Sequence, residues 1–114
     1  MIESYTFGRM SIDGKLYHKD VIILLDGRVI SPWWRQAGHQ LFLSDLTAVI
    51  DNAPEIIVIG TGDPGMMKPH RGLEEELKGM GIQAVVLPTQ KAVRAYNAFK
   101  EQGEAVAACF HLTC

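Results

Sequence analysis

Cysteine is nearly absent. The 114-residue chain has two, Cys109 and Cys114, both at its C-terminal end. A bridge between them would close a tiny loop and restrict the unfolded chain little, so both read as reduced thiols and a cytoplasmic location is expected. Basic clusters are missing as well. Eleven Lys and Arg stand against 13 Asp and Glu, a formal net charge of −2, which provides no field for nucleic acid or anionic lipid. The longest apolar runs, "VIILL" and "IIVI", are far too short to span a bilayer. The opening "MIESYTFGRM" has no basic segment followed by an apolar one, so no secretory signal is expected. The chain has no repeat or linker and 47% of its residues are apolar, enough for one core in a single domain, 1–114.

Two kinds of pattern are present. In the first third, "SYTFGRMSID" is extended, Asp13-Gly14 signals a turn, and "KLYH" returns. "VIILL" then runs to a second Asp-Gly at 26–27, with "RVIS" as its partner. The prediction is two hairpins. From Ser44 the period becomes helical, with Ser44 as N-cap, Asp45 in the first turn, and Leu46, Val49 and Ile50 on one side. "EIIVIG", "QAVVL" and "AVAACFHL" read as buried strands, because they are apolar without alternation. Between them lie two helices. One starts near residue 70, carries Leu73, Leu77 and Met80 inward, and ends at Gly81. The other has Thr89 as N-cap, turns Ala92, Val93, Tyr96 and Phe99 inward, and ends at Gly103. Short links impose right-handed crossovers and parallel pairing. The expected architecture is α/β: a mixed β-sheet with a C-terminal parallel βαβαβ unit and N-terminal β-hairpins that extend or flank it.

The stretch "IGTGDPGMMKPHRG" spells G-x-G-x-x-G with Gly60, Gly62 and Gly65. A dinucleotide fingerprint needs a helix that begins inside the motif and an acid at the end of the next strand. Here Pro64 and Pro69 delay the helix, and the next strand ends "VVLPTQ" without an acid. A phosphate loop would need Lys-Ser/Thr where Met66-Met67 stands. The loop is therefore expected to use its glycines for backbone conformation and close packing. Ligands in open α/β sheets nonetheless gather at the carboxyl ends of parallel strands. Gly60, Thr61, Gly62, Arg71 and Thr89 are candidate ligand-binding residues there, with a small anion as the chemistry. The alternative is a solvated rim.

At the tail, Cys109, His111 and Cys114 raise a zinc question, but there is no CxxC and the other histidines are scattered singly, so no metal site is expected. His111 and Cys114 are a candidate pair for nucleophilic chemistry, and no third member is assignable. Trp33, Trp34 and Arg35 are candidate interface residues, since Trp and Arg dominate binding hot spots. One tryptophan covering the core edge is the equal alternative. Asn97 is expected to satisfy a backbone group. Lys91, Arg94 and Lys100 form a solvated helix face.

The segment "VLPTQKAVRAYNAFKEQGEAVAACFHLTC" together with "IIVIGTG" resembles the adipogenesis-associated family of small domains, of which mitochondrial complex I assembly factor 3 is a more distant relative. The likeness rests on Gly60-Thr61-Gly62, Thr89, Tyr96-Asn97, Gly103 and the terminal His111-x-Thr113-Cys114. It implies a three-layer α/β fold and no established reaction. Relatives are known for roles in differentiation or in assembly of a respiratory complex. The resulting expectation is a non-catalytic domain acting through protein contacts as an assembly or regulatory factor, without cofactor, nucleic acid or membrane, and a monomer or weak dimer. The alternative is a small-molecule or anion-binding protein, or an enzyme, with its site at the carboxyl edge of the sheet.

Overall fold

The computed structural model describes residues 1–114. Strands β1 (Ile2–Thr6), β2 (Arg9–Ile12) and β3 (Lys15–Tyr17) form a separate three-stranded antiparallel sheet. The stretch expected as one extended strand is folded at Phe7-Gly8, where Gly8 takes φ +82°, a conformation that glycine adopts without Cβ strain. Strands β4 (Val21–Ile23) and β5 (Val29–Ile30) form the second expected hairpin. The chain continues through β6 (Gln40–Leu41), a 3-10 turn over Leu43–Leu46, α1 (Thr47–Ile50), β7 (Ile56–Gly60), β8 (Lys68–Pro69) and α2 (Leu73–Gly79). It ends with β9 (Gln83–Leu87), α3 (Thr89–Glu101) and β10 (Val106–Phe110).

The main sheet has the order β5-β4-β10-β7-β9. β10 and β9 both run parallel to β7, and β4 is antiparallel to β10. The mixed sheet with its parallel βαβαβ unit is thus present, with one hairpin extending it and the three-stranded sheet flanking it. Period-2 alternation along the strands builds two cores, one on each face. Val21, Ile23, Val58, Ala108 and Phe110 meet Tyr96 and Ala92 of α3 together with Met10 and Ile12 of the small sheet. Ile22, Ile57, Ile59, Ala107 and Cys109 meet Leu46, Val49, Leu73, Leu77 and Trp33 on the opposite face.

Several local expectations are displaced by tertiary partners. Ser44 is not an N-cap. The Asp45 carboxylate reaches back to accept from the Phe42 N–H at 2.9 Å and also accepts from the Gln36 N–H at 2.9 Å, so the turn starts one residue before Leu43. α2 begins at Leu73, because residues 68–69 pair in parallel with β6 before the helix can start. Met80 leaves the apolar stripe at the last turn and stands 50% exposed. β9 is an edge strand, only half-buried along 84–87.

Asn97 does satisfy a backbone group, one 95 residues away. Its Oδ1 accepts from the Ile2 N–H at 3.0 Å and its Nδ2 donates to the Ile2 carbonyl at 2.8 Å. This pair ties the small sheet to α3. Asn97→Ala is expected to cost about 1–2 kcal/mol, read by urea denaturation. Amide exchange should accelerate first in β1 and β2, and uniform acceleration across the chain would contradict this local tie.

Candidate functional site

The C-terminal segment after β10 is threaded into the centre of one end of the sheet. The His111 N–H donates to the Gly60 carbonyl at 2.9 Å, and the His111 carbonyl accepts from Thr89 Oγ1 at 2.6 Å. The Leu112 N–H donates to Asp20 Oδ1 at 2.8 Å, and its carbonyl accepts from the Gly8 N–H at 2.8 Å and the Tyr5 hydroxyl at 2.9 Å. The carbonyls of Thr113 and Cys114 accept from the N–H groups of Asp63 and Met66, both at 2.9 Å. Burial pushes the Tyr5 hydroxyl up to about 12, helped by the Asp63 and Asp20 carboxylates, so it remains a donor.

This threading accounts for the glycine loop. A Cβ on Gly60 would lie 2.6 Å from the Phe110 ring and 2.9 Å from Thr89 Oγ1. Gly62 has φ +103°, and a Cβ there would collide with the Thr113 carbonyl and sit 2.8 Å from the His111 ring. The Gly62 N–H donates to Thr89 Oγ1 at 2.8 Å and its carbonyl accepts from the Thr89 N–H at 3.0 Å. Thr89 therefore does not cap its own helix with its side chain. Its hydroxyl accepts from one loop and donates to another, both buried. Thr61 Oγ1 donates to the Leu87 carbonyl at 3.2 Å. Of the candidate ligand-binding set, Gly60, Thr61, Gly62 and Thr89 come together around the chain's own tail. Arg71 lies apart, in a shallow hollow with His70, Glu74 and Glu75. It forms no ion pair with either acid.

Beside this knot lies a charged cluster that sequence spacing did not reveal. Asp20 Oδ2 accepts from Arg35 Nη1 at 2.6 Å and from His111 Nδ1 at 2.8 Å. A carboxylate at neutral pH only accepts, so Nδ1 carries the His111 proton toward it. Arg35 Nη2 donates to the Gly38 carbonyl at 3.1 Å and lies 3.1 Å from the same His111 nitrogen. The Arg35 guanidinium also sits 4.7 Å from the Trp33 ring centre, within cation–π range. Burial raises the Asp20 pKa, but hydrogen bonds from His111, the Leu112 N–H and Arg35 outweigh it and hold the carboxyl below its ordinary value of 3.8. Two buried nitrogens, Arg35 Nε and His111 Nε2, have no hydrogen-bond partner.

The interface candidates divide. Trp33 is 5% exposed and donates its indole N–H to the Asp45 carbonyl at 3.0 Å, and the Arg35 side chain is 6% exposed. Trp34 between them is 81% exposed. Trp33 is thus the tryptophan that covers the core edge, and Trp34 is left facing outward. At the tail, Cys109 is fully buried and burial pushes its thiol far up, whereas Cys114 is exposed. Cys114 makes no hydrogen bond to His111, whose ring is engaged by Asp20. No three His, Cys, Asp or Glu side chains converge as a ligand set. No helix is long and apolar enough to cross a membrane.

The architecture defines a class of small mixed α/β domain shared by several solved structures. A protein designated MT938 is 29% identical, with a TM-score of 0.84, covering 100% of this chain and 98% of its own. A conserved hypothetical protein from Pyrococcus horikoshii is 23% identical with a TM-score of 0.85, covering 100% and 99%. An Mth938-like domain from Bordetella pertussis is 18% identical with a TM-score of 0.65, covering 98% and 85%. The chain belongs to the protein family of unknown function DUF498/DUF598, whose sequence profile matches residues 2–111.

Two measurements probe the site's construction. Thr89→Val keeps the side-chain shape but leaves the Gly62 N–H and His111 carbonyl without their buried partner. The expected loss is about 2–6 kcal/mol, at roughly 1–3 kcal/mol for each of the two orphaned groups, with Thr89→Ser near wild type. A urea midpoint for Thr89→Val equal to that of Thr89→Ser would contradict it. Because the folded Asp20 carboxyl binds its proton less tightly than the unfolded one, its contribution is complete above 3.8 and is lost as pH falls through the lowered folded value. Asp20→Asn is expected to cost about 3–5 kcal/mol at pH 7 and to flatten the acid limb of the stability curve. A variant whose stability still falls as steeply as wild type below pH 4 would refute the assignment.

Proposed function

We propose that this domain acts without turnover, by docking onto another protein through the shoulder that carries Trp34. The observation that carries the reading is the mounting of that indole. Trp33 and Arg35 are buried and bonded on either side, while Trp34 between them is 81% exposed. A large aromatic held outward on an anchored segment gives up little conformational entropy on binding, which is what an interface anchor needs. The burial of Cys109, and the lack of a hydrogen bond between Cys114 and the His111 ring, support a non-catalytic role.

Within this reading the domain is a cytoplasmic assembly or regulatory factor, a monomer or weak dimer when free. It groups with the adipogenesis-associated proteins that its tail and Tyr96-Asn97 resemble. Affinity capture from native extract should return a stoichiometric partner with the wild-type chain and lose it at least about tenfold with Trp34→Ala. The thermal midpoint of the variant should change little, since the residue is 81% exposed. Recovery of the chain alone, or equal capture by both forms, would overturn the docking role.

A further inference from the structure

The long open edge of the main sheet is β9. Its Gln83 N–H donates to the Glu55 carbonyl and its Leu87 carbonyl accepts from the Thr61 N–H, both at 2.9 Å. The main-chain groups of Gln83, Val85 and Leu87 therefore face β7. Those of Ala84 and Val86 face the other way, where no strand lies. We propose that this edge pairs with a second copy of the chain, β9 against β9, in an antiparallel two-fold dimer. This goes beyond the docking role, because the segment with Trp34 follows β5, at the opposite end of the strand order.

Three observations favour a second copy as the occupant. The first is that the edge is unprotected. The strand reads QAVVL, without proline, charge or bulge, and its register with β7 is unbroken. Sheet edges are ordinarily blunted by such devices or by shortness, as β5 on the far side is with two residues.

The second is self-complementarity. With Val85 on a two-fold axis normal to the sheet, Ala84 stands opposite the partner's Val86, and Val86 opposite the partner's Ala84. These are the residues whose N–H and C=O groups point outward, so each pair exchanges its hydrogen bonds without a shift in register. The same axis matches the faces. Val85 and Leu87 extend the core beside α3, Ala84 and Val86 extend the opposite one, and all four are half-buried in the single chain.

The third is charge. Glu74 and Lys78 lie one turn apart on α2 and border a hollow of about 400 Å³ at the start of β9. Neither makes an ion pair. The axis sets the two copies of α2 antiparallel on one face of the joined sheet, which brings the Glu74 end of each toward the Lys78 end of the other. A five-residue strand pair with two short helices falls at the small end of protein interfaces, below about 1,200 Å². The dimer is therefore weak, with Kd on the order of 100 µM.

The full chain is followed by sedimentation equilibrium from about 10 µM to about 1 mM, a range that brackets such a Kd. The average mass is expected to rise toward that of two chains, and exchange of the Ala84 and Val86 amides to slow with concentration. Ala84→Pro removes an outward N–H and none that faces β7. It should keep the fold and weaken association at least about tenfold. Lys78→Glu, on the exposed helix flank, should weaken association about threefold or more, because the pair occurs twice. Adding Glu74→Lys to it should restore the dimer. If Ala84→Pro unfolds the chain, the charge reversal and the amide exchange decide. A single-chain mass throughout, as a foreign strand on this edge would leave, overturns the proposal. So does a dimer that neither Ala84→Pro nor Lys78→Glu weakens. No other protein is present, so the result is independent of the capture experiment.

Discussion

Four consecutive residues, His111 to Cys114, hold one end of this fold together. Each of them gives or accepts a backbone hydrogen bond with a distant segment: Gly60, Thr89, Asp20, Gly8, Tyr5, Asp63 and Met66. A strand that ended at Phe110 would leave the Asp63 and Met66 N–H groups of the loop after β7, and the buried Thr89 hydroxyl, without the acceptors they have here. The tail supplies their acceptors. It also carries the His111 ring to Asp20, so the packing of the loops and the assembly of the charged cluster are one event.

Asp20 gains its importance from this arrangement. It stands just before β4, antiparallel to β10, and so sits beside the point where the tail departs. The segment with Trp33 and Arg35 returns over the same place after the β4-β5 hairpin. Three stretches remote in sequence thus meet at one carboxylate. Its two oxygens accept from a guanidinium, an imidazole and a main-chain N–H. The guanidinium in turn stacks on Trp33, which is fastened to the turn before α1 through Asp45. Rigidity passes outward along this line to Trp34, the one member of it without a partner.

Much of the architecture was legible in the residues. Apolar runs at 56–60 and 106–110, separated by amphipathic helices and short links, dictate parallel pairing. Asp-Gly at 26–27 marks a hairpin that is present. The errors fall where a local preference met a tertiary competitor. Ser44 has cap chemistry, but the Asp45 carboxylate fixes the start of the turn at Phe42, which leaves Ser44 inside it. Thr89 has cap chemistry too, yet its hydroxyl serves Gly62 and His111 instead. Asp20 was invisible for another reason. A single acid in "HKD" has no periodic or spaced signature, and its side-chain partners lie 15 and 91 residues away. Only the fold brings them within reach.

The glycine loop shows how such a signature arises without a nucleotide. At the carboxyl end of a parallel strand the backbone must turn tightly and expose N–H groups, and glycine is what the geometry demands whether the acceptor is a pyrophosphate or a peptide. Here the acceptors are the Thr113 and Cys114 carbonyls, and Gly62 has no Cβ because the tail passes where it would stand. The distinction between the two cases lies outside the loop, in whether another part of the chain arrives to use the donors. In this protein it does.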